Sequence, residues 1–269
     1  MRSIMVATSV ASFLSGGLPA AAQGNADLAK ELSNPVASLI SVPFQGNYDG
    51  DIGAADGDKA FVNIQPVIPI GLSEDWNLIS RTILPVAWQQ DVAGRSGTQF
   101  GLGDTVQSGF FSPARPVETP VGNMTWGIGP VAGIPTATDD LLGSGKFSLG
   151  PTGVALIQQG PWTYGGLANH LWSVAGDGGR GDVNATFLQP FLAYTTPSAW
   201  TFTLNSESTY DWARSDWSVP VNAMVAKLVD IGGQKVQFQI GARYWATAPD
   251  SGPEGLGARL AVTFLFPGG

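Results

Sequence analysis

The chain has 269 residues, of which 43% are hydrophobic and 13% charged, about half the roughly 25% usual in soluble globular proteins. Its formal net charge is −8 with 13 Lys and Arg, so it lacks the positive surface that a nucleic-acid binder uses to neutralise phosphates. Cysteine is absent, which excludes disulfides and thiolate metal sites, and no segment approaches the ~18 consecutive apolar residues of a membrane-crossing helix.

The N-terminus reads "MRSIMVATSVASFLSGGLPAAAQ". Arg2 supplies a short positive region, Ile4 to Leu18 a mildly apolar stretch, and Ala20-Ala21-Ala22 a small-residue cleavage site, so residues 1–22 read as a secretory signal peptide. The mature chain would lose one positive charge with Arg2 and become more acidic. Residues 23–35 are polar and are expected to form a periplasmic N-terminal segment, a candidate plug. Within it "NADLAKEL" allows two helical turns at most.

Residues 36–269 are expected to form the barrel domain. They divide into alternating segments of about a dozen residues, with no useful stretch of helical period. The pattern predicts twelve strands near 36–46, 59–71, 76–89, 99–112, 123–135, 147–158, 161–174, 183–195, 199–211, 216–229, 235–247 and 255–266. In "AWTFTLNSESTYDW", Trp200, Phe202 and Leu204 oppose Thr201, Thr203 and Asn205. "SED", "QGP", "TPSA" and "DIGGQ" are short connections. The intervening ones, among them "NYDGDIGAADGD", "TATDDLLGSGK" and "AGDGGRGD", are longer, acidic and Gly-rich. Short turns at one end and long loops at the other describe an antiparallel up-and-down barrel of the outer-membrane type. "SPARPVETPVG" is a long connection at the short-turn end.

The aromatic spacing agrees. Trp162 and Trp172, Trp200 and Tyr210, and Trp76 and Trp88 are paired along one face at ten to twelve residues. A tilted strand climbs roughly 25 Å over ten residues, the height of a barrel's apolar band. Together with Trp212, these rings are the expected interfacial girdle. Pro66, Pro69, Pro85, Pro130, Pro151, Pro190 and Pro220 fall inside strands, where they lack an N–H for the ladder, so bulges or kinks are expected there. Facing around "LQPFLAY" and "GPTGVAL" is left open by the pattern.

Strand charges are few: Arg81, Asp104, Glu207, Lys227, Arg243 and Arg259. A lipid-facing Arg or Lys at the midplane costs about 2–4 kcal/mol, so these are expected in the lumen or at its rims. Arg81, Glu207, Arg243 and Arg259 share the inward parity. They could pair across the interior or line a pore and set its selectivity. Asn205, Asn222 and Gln239, with Asn63, Gln65, Thr203 and Gln237, complete the predicted polar lumen. Ten acidic residues, Asp49 among them, are placed in the long loops, where they would solvate the loops, bridge cations to lipopolysaccharide, or repel anionic solutes.

Signals for catalysis are thin. His170 is the only histidine, which excludes the usual imidazole metal site, and no G-x-S-x-G elbow accompanies it. It reads as a strand residue beside Trp172. "GSGK" at 143–146 lacks the first Gly and the final Ser/Thr of a phosphate loop. The chain is therefore expected to be no enzyme and to carry no cofactor.

Several phrases carry a family resemblance: "NPVASLISVPFQGNYDG", "QPVIPIGLSEDWNLISRTILPV", "GLGDTVQSGFFSP", "PTATDDLLG", "GPWTYGGLANHLWS", "FLQPFLAYTT" and "STYDW". They resemble a family of bacterial outer-membrane β-barrels described as transporters, associated by name with the meta-pathway of phenol degradation and often mislabelled neuromedin U. The resemblance covers nearly the whole mature chain. It implies an outer-membrane location and passage of small aromatic or hydrophobic compounds, and it supplies no catalytic motif. The sequence reading is thus a channel contacting outer-membrane lipid, lipopolysaccharide and a small solute. A lumen or rim lipid hydrolase and a structural or adhesion barrel stand as alternatives.

Overall fold

A computed structural model of the chain describes residues 20–266. Most of the predicted signal peptide, residues 1–19, lies outside the described residues. The first element is helix α1 (Ala20–Glu31). It is longer than the two turns expected, and it starts ahead of the predicted cleavage point. Ala, Leu, Lys and Glu all favour helix. Leu28, Ala29 and Leu32 form a stripe that packs against Ala37, Leu39, Ala199, Leu228 and Leu265. The helix ends in a tightened turn, with Ser33 N–H on the Lys30 carbonyl and Asn34 N–H on that of Glu31. Pro35, lacking an N–H, cannot extend it.

Sixteen strand segments follow among the described residues. They are β1 (Ile40–Ile52), β2 (Gly57–Ile64), β3 (Val67–Gly71), β4 (Trp76–Gln90), β5 (Thr98–Leu102) and β6 (Thr105–Pro113). Next come β7 (Val117–Thr119), β8 (Gly122–Ile134), β9 (Lys146–Gln159), β10 (Trp162–Gly176) and β11 (Asn184–Thr195). The chain completes the set with β12 (Trp200–Ser206), β13 (Ser208–Asp211), β14 (Asp216–Ile231), β15 (Gln234–Thr247) and β16 (Leu256–Phe266).

These make a closed twelve-stranded antiparallel barrel. Three long strands are each interrupted once: β2 and β3 at Gln65-Pro66, β5 and β6 at Gly103-Asp104, β12 and β13 at Glu207. Closure comes from β1 on β16, in register from Ile40↔Phe266 to Tyr48↔Ala258. Closure removes the free edges from the body of the barrel, while β5 and β7, at its two rims, each pair on one side only. Segment β7 is an extra piece of hairpin that pairs only with β8, which explains the long connection at the short-turn end.

Sequence and structure differ at the start of the wall. The first strand begins at Ile40 rather than 36, and runs on to Ile52. Residues 36–39 lie inside the barrel instead, with Val36, Ala37 and Leu39 buried. The prolines are absorbed in several ways. Pro66 sits at the β2/β3 break, Pro130 faces Pro151 where the ladders to their outer neighbours β6 and β10 skip both positions, and Pro220 adjoins a register shift against β15. Gly129 and Gly150 flank the Pro130–Pro151 pair, where a Cβ would strike the carbonyls of Gly109 and His170.

The facing left open by the pattern is resolved by packing. Val154, Leu156 and Leu167 point inward and pack together, with Phe187 and Phe191 against them. Leu188 and Leu192 are exposed on the outside. The exterior carries exposed apolar side chains along one strand after another, including Phe44, Ile68, Ile128, Phe202, Ile240 and Leu260. Soluble monomers rarely expose so continuous an apolar surface. On a closed barrel it is the lipid face.

The barrel interior as candidate functional site

The lumen has two unlike halves. Under β4, β6, β9 and β10 it is packed with Ile79, Phe110, Val154, Leu156 and Leu167, with Val36 of the N-terminal segment inserted among them. Opposite, under β12, β14, β15, β16 and β1, it is polar. On β14 the alternation turns Asn222, Met224, Ala226 and Leu228 inward, so that Asn222 joins the polar centre while Leu228 packs near the mouth with Ala29 and Leu39.

The polar half centres on Glu207, at the β12/β13 break. Arg259, 2% exposed, grips it with two parallel bonds, Nη1 to Oε1 at 2.9 Å and Nη2 to Oε2 at 2.7 Å. Arg259 Nε donates to Asn47 Oδ1 at 2.8 Å. Arg243 stands 4.0 Å from Glu207 and 3.6 Å from Asp49, and its guanidinium lies 4.6 Å from the Trp245 ring. Trp245 Nε1 donates to Asp49 at 2.9 Å. Such pairing offsets the cost of taking charges out of water. Beside it Asn222 donates to Asn205 Oδ1 at 2.8 Å.

Of the four inward charges, for which pairing and pore lining were both open, Glu207, Arg243 and Arg259 come together on the polar wall. Arg81 does not: it donates to Gln65 Oε1 at 3.2 Å, and no carboxylate among the described residues lies within ion-pair distance. Asn205 and Gln239 face the lumen cavity, and Asn222 is fully buried next to it. Lys227 instead faces outward, 5.2 Å from the Trp200 ring, with its ammonium on the Ser198 carbonyl. That placement near the short-turn rim spares the charge from lipid. Asp104 fills the β5/β6 break and accepts from Ser144 N and Oγ at 2.6 and 2.7 Å, tying down the long loop after β8.

Asp49 is a correction. It was expected in a long loop but is 4% exposed within β1, on the lumen side. Continuing the β1 alternation through "NYDGD" would have found both it and Asn47. Other acidic residues do sit at the long-loop rim. Asp182 pairs with Lys146 at 3.1 Å, and the Lys146 and Ser173 hydrogen bonds hold its carboxyl below the usual range. Arg180 reaches Asp140 at 3.8 Å.

The N-terminal segment occupies this interior. Helix α1 sits at the short-turn mouth, where Lys235 Nζ donates to Asn25 Oδ1 at 2.8 Å and Gln158 Nε2 to the Lys30 carbonyl at 3.1 Å. Burial raises the Glu31 carboxyl above its ordinary range. Two cavities, of about 190 Å³ and about 170 Å³, remain around Leu32 and Pro35. Arg81, Gln65, Gln189 and Gln237 line both.

On the exterior, Trp76, Trp162 and Trp200 lie at the short-turn end of their strands, with Trp76 edge-on to Trp126 and Trp162 edge-on to Tyr194. Trp88, Trp172, Tyr210 and Trp212 lie at the opposite end, Tyr210 against Trp212 and Trp217. His170 stacks 4.0 Å from Trp172 and meets Thr186 Oγ1 at 2.7 Å, its hydrogen-bond partner among the described residues.

The fold and its lumen define a transmembrane antiparallel β-barrel of the outer-membrane class. No protein-family model and no curated protein matches the chain. Among solved structures it is similar to the COG4313 outer membrane channel from Pseudomonas putida F1, at 13% identity and a TM-score of 0.67, over 85% of this chain and 95% of that one. It is also similar, more distantly, to outer membrane phospholipase A from Escherichia coli, at 10% identity and a TM-score of 0.48, over 89% and 98% of the two chains. A further match, Salmonella typhi OmpF, has 8% identity and a TM-score of 0.36, over 85% and 96%.

Proposed function

We propose that the protein is a passive channel of the bacterial outer membrane, shut in this conformation by its own N-terminal segment. The observation that carries the reading is the lumen itself. A polar strip runs along one wall, and cavities persist beside residues 32–39. Twelve strands lie between the eight that side chains nearly fill and the sixteen or more of a water-filled pore, so a movable segment decides whether solute passes. That segment is held by two apolar contacts, one through Ala29, Ala37 and Leu39 and one through Val36, and by side-chain bonds to the wall at Lys235, Gln158 and Asn77.

In this reading the long-loop rim faces outward, its acidic residues meeting lipopolysaccharide through cations, and both termini are periplasmic. Trp76, Trp88, Trp162, Trp172, Trp200, Tyr210 and Trp212 serve as the interfacial belts. Arg81, Asn205, Glu207, Asn222, Gln239, Arg243 and Arg259 act as the selective wall. The resemblance to the phenol-degradation barrels, together with the apolar half of the lumen, supports small aromatic or hydrophobic solutes as cargo.

Single-channel recording in planar bilayers tests the proposal. Deleting residues 24–39 should raise unit conductance several-fold over the full chain. Absence of conductance from the folded deletion variant would overturn it.

A further inference from the structure

Between the two rims of the barrel, Lys59, Arg81, Arg243 and Arg259 face inward against Asp49 and Glu207. The two carboxylates are already engaged. Glu207 is held bidentately by Arg259, and Asp49 takes Trp245 and stands beside Arg243. Arg81 hydrogen-bonds one neutral acceptor, Gln65 Oε1, and shares the first cavity with the Arg259–Glu207 pair without an ion-pair contact of its own to that carboxylate. A guanidinium carries five N–H donors in a planar fork that matches a carboxylate, and a charge withdrawn from bulk water without a counter-ion is costly. The excess positive charge lies in the lumen of an otherwise acidic protein.

What surrounds Arg81 narrows the counter-ion. It lines both lumen cavities together with the carboxamides of Gln65, Gln189 and Gln237. The side chains of Gln189 and Gln237 have no hydrogen-bond partner among the described residues, so their amides are free to meet a solute. Phe191, Leu32 and Pro35 supply apolar walls to the first cavity, and Val67 to the second. Cavities of about 190 and 170 Å³ fall below the roughly 300–1,000 Å³ of sites for drug-sized ligands.

We propose that Arg81 is the anchor of a binding site for a small organic carboxylate with an apolar body, held in the lumen beside the N-terminal segment. The Arg81 fork takes the carboxylate, the glutamine amides supply further donors, and Phe191 with Leu32 or Val67 contacts the apolar part. This deepens the channel reading and rests on it for the site's meaning, as a station on the solute's path.

Titration calorimetry on the purified, folded full chain in detergent, with benzoate, benzyl alcohol and inorganic phosphate as probes, tests the site without using conduction. Benzoate should bind saturably and more tightly than both other probes. Losing a charge-assisted pair should weaken benzoate by at least about tenfold in Arg81→Gln, with Arg81→Lys retaining part of the affinity. Equal binding of benzyl alcohol and benzoate by the unaltered chain would overturn the proposal, whether or not any variant folds. Unchanged benzoate affinity in folded Arg81→Gln would overturn it as well, as would preference for phosphate. Planar-bilayer recording on the same preparation separates the two readings. A conducting barrel that ignores benzoate loses the site alone, whereas Arg81-dependent binding in a barrel that never conducts keeps the site and loses the channel.

Discussion

The two halves of the lumen solve the same problem by opposite means. Where Ile79, Phe110, Val154, Leu156 and Leu167 face inward, the barrel has a core like that of a soluble protein, with each fully buried large side chain contributing about 1.5–3 kcal/mol. Across from it, Asp49, Glu207, Arg243 and Arg259 meet as paired charges, an arrangement that gives little net stability but keeps a polar path. The apolar half closes and stiffens the cylinder, and the polar half leaves it capable of passing or holding a solute. The N-terminal segment reads both, placing Val36 in the first half and Leu32 and Pro35 beside the second.

This contrast can be broken first at its most charged point. Glu207→Ala leaves Arg259 and Arg243 facing each other without their shared carboxylate. Removing one partner of a buried pair costs about 3–5 kcal/mol, so urea unfolding of the folded barrel should show a loss of that order, together with a shift of any conductance toward anions. Ile79→Ala attacks the other half. The cavity it leaves should cost about 2–5 kcal/mol, read by the same unfolding curves, with ion selectivity unchanged. An equal change of selectivity in both variants would erase the functional distinction between the halves.

A smaller effect sharpens the role of the segment that joins them. The Glu31 carboxyl is raised by burial, so docked α1 binds a proton more readily than released α1. The penalty for docking is fully present at pH above the raised value, shrinks as pH falls through it, and is gone below the ordinary carboxylate range. Channel closure should therefore tighten on mild acidification, measured as open probability against pH. Glu31→Gln should flatten that dependence. Persistence of the full pH response in Glu31→Gln would place its origin elsewhere.

Much of this was legible in the residues. Period-two alternation in segments such as Trp200 to Leu204 specifies a strand with two faces, and the unequal loops specify which ends match. Arg81, Glu207, Arg243 and Arg259 were legible as inward because a lipid-facing midplane charge is costly. Less legible were the consequences of curvature. Asp49 was read as loop because Gly50 and Gly53 around it resemble turn residues, yet β1 carries the alternation through Asp49 before the register shifts ahead of Ile52. The facing of Leu156 and Phe191 was hidden by Pro151 and Pro190, since a proline can bend a strand without announcing whether the register slips.

By itself the sequence determined what depends on local chemistry: alternating strands, polar turns, aromatic strand ends and the absence of a spanning helix. Those properties follow from which neighbours share a face, and sequence spacing states that directly. The tertiary structure decided what depends on distance across the lumen. It chose Glu207 as the partner of Arg259, residues separated by 52 positions in the chain. It left Arg81 without a carboxylate, and it folded residues 36–39 inside the wall instead of into it. Pairing across a closed barrel is set by strand tilt and register together, and neither can be summed from one strand at a time.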